Sequence, residues 1–425
     1  MTSIEINYGA VPLQISMEWG VSLGRIDIAD VPSVSNRVES LRRALEKPIG
    51  LPGPLLEHFR AGDAVTIVVS DAYRNTAVDQ ILPAILDALA DRGIRNEAIQ
   101  FLFATGIHKA PDVDQQRAIL GDEVYARFRQ RAHVHDPYAE DHAQLGTTAR
   151  GTPVEINRRA IECDHVIVTG AVVMHYFGGF GGGRKALVPG ISSARTIARN
   201  HAMNLHPTEN RLNPAVCIGV MDGNPVAEDM LEAALRVPNC NLINTVLNRR
   251  GEIAGLFAGA LEAAHVDACA FARSLYAVPI ADAADIVIAS AGTARNYVQA
   301  HKALYNAYQA MKPGGCIILL APSLEGLGGE PIEKWLRLGS VDAIIAALRA
   351  SSEIYGQTAL STLEKAAQAI MVTNLPSASV GILGARKAVS LDDALRIARR
   401  EYGDHATYYV MPSASHTVPI LYGLR

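Results

Sequence analysis

Cysteine is scarce here and odd in number: Cys163, Cys217, Cys240, Cys269 and Cys316 stand more than 20 residues apart in a chain of 425. Most sit in apolar runs such as Gly315-Cys316-Ile317-Ile318, so they read as small buried hydrophobes in a reducing compartment. That excludes a disulfide framework and a thiolate metal cluster. No window holds about 18 consecutive apolar residues, and the first residues lack a basic stretch followed by an apolar one, so a soluble cytoplasmic protein without membrane contact is expected. A basic excess is also missing: 39 Lys and Arg against 43 Asp and Glu give a net charge of −4, which disfavours a nucleic-acid partner. Disorder is excluded by 49% hydrophobic against 19% charged residues, and collagen by 35 glycines without a three-residue period. There is no internal repeat or low-complexity segment.

What is present is a recurrence of short, nearly continuous apolar runs: Ala64 to Ser70, Ile99 to Ala104, His165 to Thr169, Asp285 to Ala289, Cys316 to Leu320 and Ser379 to Leu383. Strands of this kind belong in sheets covered on both faces. Helix-period stretches lie between them, at Thr76 to Arg92, Val226 to Arg236, Tyr297 to Met311 and Val341 to Arg349. The fold class expected is α/β: two α/β domains with mostly parallel sheets and the active site in the cleft between them. An Ala-rich helix ending near Arg273 sets the boundary, giving domains 1–272 and 273–406. The last stretch, 407–425, can add a strand to either, with a return to the first domain as the expectation.

Open α/β sheets bind ligands beyond the carboxyl ends of their strands, and three such ends are chemically rich. In Ser70-Asp71-Ala72-Tyr73-Arg74 a carboxylate and a guanidinium stand three apart; they can grip a ligand, or be a capping Asp and a surface Arg. In Thr105-Gly106-Ile107-His108 an imidazole follows a strand, either as a general base near neutral pH or as a solvated loop residue. The third runs His175-Tyr176-Phe177-Gly178-Gly179-Phe180-Gly181-Gly182-Gly183-Arg184-Lys185. Five glycines in six positions imply a loop whose amides approach something closely, usually a phosphate. It is neither a P-loop nor a dinucleotide fingerprint, because Arg184 stands where each pattern requires another residue. Ser192 and Ser193 then cap a helix-period stretch that carries His201 late, as a metal ligand or as a favourable cation at a helix end. His133, His135 and His142 with Asp136 have metal-ligand residue types but no helical spacing, and they read as a solvated loop. Ser415 and His416 lack the nucleophile elbow of a hydrolase.

Taken together, Asp71-x-x-Arg74, Thr105-Gly-Ile-His108, His175 before the Gly-rich run and Lys185, Pro189-Gly-Ile, Arg199-Asn-His201 and Gln299-Ala-His-Lys302 resemble the lactate racemase family. The resemblance runs in order from about residue 65 to 310. It implies a racemase or epimerase that inverts C2 of a 2-hydroxy acid with a nickel-pincer nucleotide, a nickel-bearing pyridinium mononucleotide derived from nicotinic acid adenine dinucleotide. Lys185 would hold that group through a thioamide, and His201 would be the one protein ligand to nickel, which suits a soft square-planar site. His108 and His175 would form the acid/base pair. Asp71, Arg74, Gly181, Gly182 and Gly183 would hold the cofactor, and Arg74, Gln299 and Lys302 the substrate. Partners would be the small substrate and the enzymes that make the cofactor, with a homodimer left open. Lactate-specific members carry a tyrosine before the Gln-x-x-Lys pattern, where this chain has Val298, and a tryptophan where it has Tyr355-Gly356-Gln357. A bulkier or more polar 2-hydroxy acid than lactate is therefore expected. Two readings compete, a noncatalytic nucleotide- or anion-binding protein and an NAD-type dehydrogenase. The first needs none of the histidines; the second lacks its glycine fingerprint and acidic partner.

Overall fold

The computed structural model describes residues 4–422, and the chain divides into two compact units. The first comprises Asp30–Asn204 and Asn213–Ser274; the second comprises Met1–Ala29, Leu205–Leu212 and Leu275–Arg425.

The first unit is built on a six-stranded sheet in the order Ile253–Ala260, Cys240–Leu247, His165–Ala171, Val65–Ser70, Ile99–Ala104, Ala132–Val134. All neighbours are parallel except the edge pair of Ile253–Ala260 with Cys240–Leu247. Alternate residues of one strand enter different cores. Val65, Ile67 and Val69 pack with Phe101 and helix residues Leu82, Ile85, Leu86 and Leu89, while Val68 packs with Leu102, Val166 and Met230. Burying each such side chain stabilises by roughly 1.5–3 kcal/mol, so a sheet with two apolar faces holds helices on both. The helix expected from Thr76 begins later, at Leu82–Asp91, behind a single 3-10 turn at Val78–Gln80. Ala77 is left-handed, at φ 50°, and Pro83 tolerates only a first-turn position.

The second unit has six parallel strands in the order Arg386–Ala388, Ala369–Val372, Met311–Leu320, Ala284–Ser290, Thr407–Met411, Val21–Arg25. Ile286, Ile288, Ile318 and Leu320 enter one core, and Val287, Ala289, Ile317 and Leu319 the other. Successive strands after Ala284–Ser290 proceed one way, and Thr407–Met411 then joins its opposite edge.

Three expectations are corrected. The run Ser379 to Leu383 belongs to helix Ser377–Ile382, because Val380 and Leu383 are buried three residues apart and a five-residue apolar run carries no period of its own. Residues 4–29 and 205–212 belong to the second unit, where Val21–Arg25 pairs with Thr407–Met411. Residues 407–422 stay there too, through that strand and through Val418–Leu421 on Ala277–Ile280; residues 423–425 lie outside the described residues. These pairings join segments hundreds of positions apart, which local pattern cannot register. Among the described residues the five cysteines are free, and no helix is long and apolar enough to cross a membrane.

Burial pushes four imidazoles down, to about 4 for His135 and about 3 for His201, His265 and His301. In the unfolded chain each titrates near 6.5. Between those values only the unfolded chain is protonated, so their stabilisation is complete above pH 6.5 and is lost as pH falls toward their folded values. Melting temperature is expected to fall steadily from pH 7 to 4.5, with about four protons taken up on unfolding near pH 5. Calorimetry showing a constant Tm over that range would contradict the neutral burial of these rings.

Candidate active site

Strands Val65–Ser70 and Ile99–Ala104 are parallel neighbours in register, so the residues just past them emerge side by side. Asp71 follows the first strand and His108 the turn after the second. His108 Nδ1 lies 2.6 Å from Asp71 Oδ2, and Asp71 Oδ1 accepts the Tyr73 amide at 3.0 Å with Arg74 Nε 4.0 Å away. Burial is the largest single influence on Asp71 and raises its carboxyl. The His108 hydrogen bond, the Arg74 and His108 charges and the Tyr73 amide together outweigh it and hold the group below the usual range. An ionised carboxylate only accepts, so in the neutral His108 ring the hydrogen sits on Nδ1 and the lone pair on Nε2. The expected Asp71, Arg74 and His108 are thus brought together, with the Tyr73 ring edge-on to His108 at 5.2 Å.

The Gly-rich run forms a hairpin, Met174–His175 against Gly179–Phe180, followed by a 3-10 turn at Gly183–Ala186 that presents Lys185. His175 Nδ1 accepts the Phe177 and Gly178 amides, both at 3.2 Å, and its Nε2 lies 3.1 Å from Lys185 Nζ. Lys185 is buried with Nζ 5.8 Å from the Phe177 ring centre, and the buried His201 ring meets the same phenyl edge-on at 4.5 Å. His201 rides on helix Ala194–Ala202, which Ser193 caps by accepting the Thr196 amide. Desolvation, then the Lys185 and His108 charges, push its imidazole down to about 3, so it is neutral and a competent lone-pair donor at neutral pH.

The glycines answer to packing within the chain. A Cβ at Gly179 would stand 2.1 Å from the Val220 carbonyl oxygen, at Gly182 2.7 Å from Asn244 and Val172, and at Gly183 2.4 Å from the His265 ring. Such contacts are closer than any side chain allows. The amides are used as well: Phe180 bonds the Gly178 carbonyl, Gly181 that of Val173, Gly183 the Asn244 Oδ1 and Lys185 the Gly182 carbonyl. The close approach expected of these amides to a phosphate is an approach to neighbouring strands and to helix Leu261–Tyr276.

Sequence reasoning missed Arg184, which is wholly buried with no carboxylate partner among the described residues. It donates to the carbonyls of Ala227 and Gly178 and faces His265 Nδ1 at 3.2 Å, while His265 Nε2 reaches the Gly181 carbonyl at 2.9 Å. Only the odd placement of an arginine inside a glycine run hinted at it. The histidine-rich loop is also corrected. His135 and His142 are buried, not solvated, and His135 Nε2 donates to the Ser192 carbonyl while Thr105 Oγ1 donates to the His135 carbonyl. That brace ties the His108 turn to the entry of the His201 helix.

Gln299 and Lys302 lie in the second unit on helix Tyr297–Tyr308, where Gln299 Oε1 accepts the Arg295 amide at 2.9 Å and Lys302 is exposed. Val298 packs on Gly328, and Gly356 lies against the Trp335 indole, where a Cβ would come within 2.8 Å. Ser415 Oγ donates to the Ala291 carbonyl.

The donor chemistry can be tested against a metal-bearing cofactor. Among the described residues no three His, Cys, Asp or Glu side chains gather as a metal site. The chain therefore offers one neutral buried imidazole, His201, beside a lysine amine, and a metal held here needs its remaining ligands from a bound organic group. Those residues fit such a group.

The packing account separates the glycines. Gly183→Ala meets the His265 ring at a left-handed φ of 52° and is expected to lower stability by roughly 2–4 kcal/mol in urea denaturation. Gly181→Ala, whose nearest obstacle is a Val173 methyl at 3.3 Å, is expected to cost far less. Equal losses would reject this account.

Residues 8–212 match the family description "Lactate racemase N-terminal domain" and residues 280–418 "Lactate racemase C-terminal domain". The lactate racemase of Thermoanaerobacterium thermosaccharolyticum is 31% identical over 344 residues, 79% of this chain and 78% of that protein. The lactate racemase of Lactiplantibacillus plantarum is 33% identical over 296 residues, 69% and 68% of the two chains. The solved lactate racemase apoprotein from T. thermosaccharolyticum superposes with a TM-score of 0.88 at 29% identity, covering 99% of this chain and 100% of that one. A Thermotoga maritima protein at 18% identity and a TM-score of 0.68, covering 93% and 99%, shares the fold. Both family domains follow one another in this chain, which belongs to the lactate racemase family of isomerases.

Proposed function

We propose that this protein racemises or epimerises a 2-hydroxy acid at C2 using a nickel-pincer nucleotide joined to Lys185, with His201 as the protein's ligand to nickel. The observation that carries the reading is the gathering of Lys185, His175 and His201 around the Phe177 ring, in the same unit as the Asp71–His108 pair. When bound, such a group supplies an acceptor that can take the C2 hydrogen as hydride and return it to either face of the keto acid.

The chain's own residues supply binding and proton handling. His108, fixed by Asp71 as the Nδ1–H tautomer, receives the 2-hydroxyl proton at Nε2. Arg74 holds the substrate carboxylate in a charge-assisted pair. His175 handles the hydroxyl proton of the opposite enantiomer through Nε2. A lysine nitrogen converted to a thioamide carries no charge, which removes the Lys185 ammonium from beside that atom. Gly181, Gly182 and Gly183 serve the cofactor indirectly, by fixing the turn that presents Lys185. For Gln299 and Lys302 we propose the substrate-holding role that the resemblance implies. The internal pairing of the loop amides disfavours the anion-cradle alternative.

The first test is intact mass and nickel content of the protein produced alongside the cofactor-making enzymes, compared with Lys185→Ala. A mononucleotide-sized adduct and nickel, both lost in the variant, are expected; their absence from the unaltered protein, beside a control that loads, rejects the reading. In the loaded enzyme Asp71→Asn frees the wrong His108 tautomer and should lower kcat by about 10²–10⁴ with a small change in KM. With Val298 and the stretch Tyr355-Gly356-Gln357 where the resemblance implies aromatic residues in lactate-specific relatives, a substrate with a larger or more polar C2 substituent is proposed. A racemisation panel should favour such an acid over lactate by about tenfold or more in kcat/KM; the reverse preference rejects the substrate assignment.

A further inference from the structure

Helix Pro225–Ala234 carries a wholly buried carboxylate, Asp229, with no cation within ion-pairing distance among the described residues. Three neutral donors hold it: Thr148 Oγ1 at 2.5 Å on Oδ1, and Thr152 Oγ1 and Asn200 Nδ2, each at 2.8 Å, on Oδ2. Burying an acidic side chain without a cation is costly, so its retention calls for a reason. The donor set supplies a local one: all three donors point at carboxylate oxygens, whereas an amide at 229 offers one acceptor oxygen and requires a threonine hydroxyl to turn and accept, or the Asn200 amide to lose its partner. The donors come from two segments, the turn between strands Ala143–Thr147 and Pro153–Ile156 and the last turn of helix Ala194–Ala202.

Asn200 is the residue before His201. Its amide nitrogen is fully used, donating to Asp229 and to the Val226 carbonyl at 3.1 Å, which ties the far end of the His201 helix to helix Pro225–Ala234 at two points. The other end is fixed by the Ser193 cap. A nine-residue helix pinned at both ends cannot turn about its axis, and that rotation is what would swing the His201 imidazole away from Phe177.

We propose that Asp229, acting through Asn200, is a positioning residue that sets the His201 ring for metal ligation. The metal part rests on the function proposed above; the positioning part does not. Groups behind a metal ligand commonly change metal retention by about 10- to 100-fold when removed.

Two measurements separate these parts. In the protein made without cofactor, the His201 ring protons feel the edge-on Phe177 phenyl, so their NMR shifts report its orientation. Asp229→Asn and Asn200→Ala should move them and leave the His301 signals of the other unit in place. In loaded protein, nickel loss to a chelator should be about 10- to 100-fold faster in both variants, with the Lys185 adduct still present by intact mass. Unmoved His201 signals with nickel loss at the unaltered rate would overturn the proposal. Should Asp229→Asn not fold, Thr148→Val and Thr152→Val remove one donor each, and their folded spectra with undisturbed His201 signals would overturn it equally. Unaltered protein that takes up neither adduct nor nickel defeats the cofactor reading, while the NMR arm still decides whether Asp229 positions His201.

Discussion

The first half of helix Pro225–Ala234 is the anchor on which the site depends. The Asn224 side chain caps it through Oδ1 and donates Nδ2 to the Phe177 carbonyl; the Ala227 carbonyl accepts Arg184, and Val226 with Asp229 accept Asn200. Those contacts reach the segments carrying His175, Lys185 and His201. A glycine run has few side chains to bury, so apolar packing cannot fix it, and buried hydrogen bonds must. A buried donor left without its acceptor loses about 1–3 kcal/mol, which favours one arrangement over near alternatives. Each bond contributes little net stability but excludes other placements of the hairpin, and the chemistry needs that exclusion.

What the sequence disclosed follows from the range of the interactions involved. Continuous apolar runs such as Ile99–Ala104 state their burial locally, and Asp71 and His108 were findable because both lie just past such runs in a parallel sheet. The glycine run was found too, but its cause was not legible. Glycine is required equally where a ligand approaches and where a chain packs on itself, and only the neighbours, Val220, Asn244 and His265, distinguish the two. Arg184 and Asp229 stayed hidden because their partners lie up to 81 residues away. The run at 379–383 failed for the opposite reason: five residues are too few to show any period, and tertiary packing of Val380 and Leu383 decided for helix.

The two histidines assigned to proton transfer are not equivalent, and the difference lies at Nδ1. In His108 that nitrogen donates to Asp71, so Nε2 arrives as an acceptor. In His175 it accepts two backbone amides, so in the neutral ring the hydrogen sits on Nε2. For His175 to take a proton at Nε2, the Phe177 and Gly178 amides must first release Nδ1. On the proposed reaction the asymmetry is thermodynamically constrained. Enantiomers of an acid with one stereocentre have equal free energies, so kcat/KM must be the same in both directions at every pH. Unequal histidines can then appear only in kcat and KM separately, with the direction that requires His175 to accept carrying the work of opening the hairpin. With a second stereocentre in the substrate that equality lapses, because epimers differ in free energy, and the two directions can differ in kcat/KM itself.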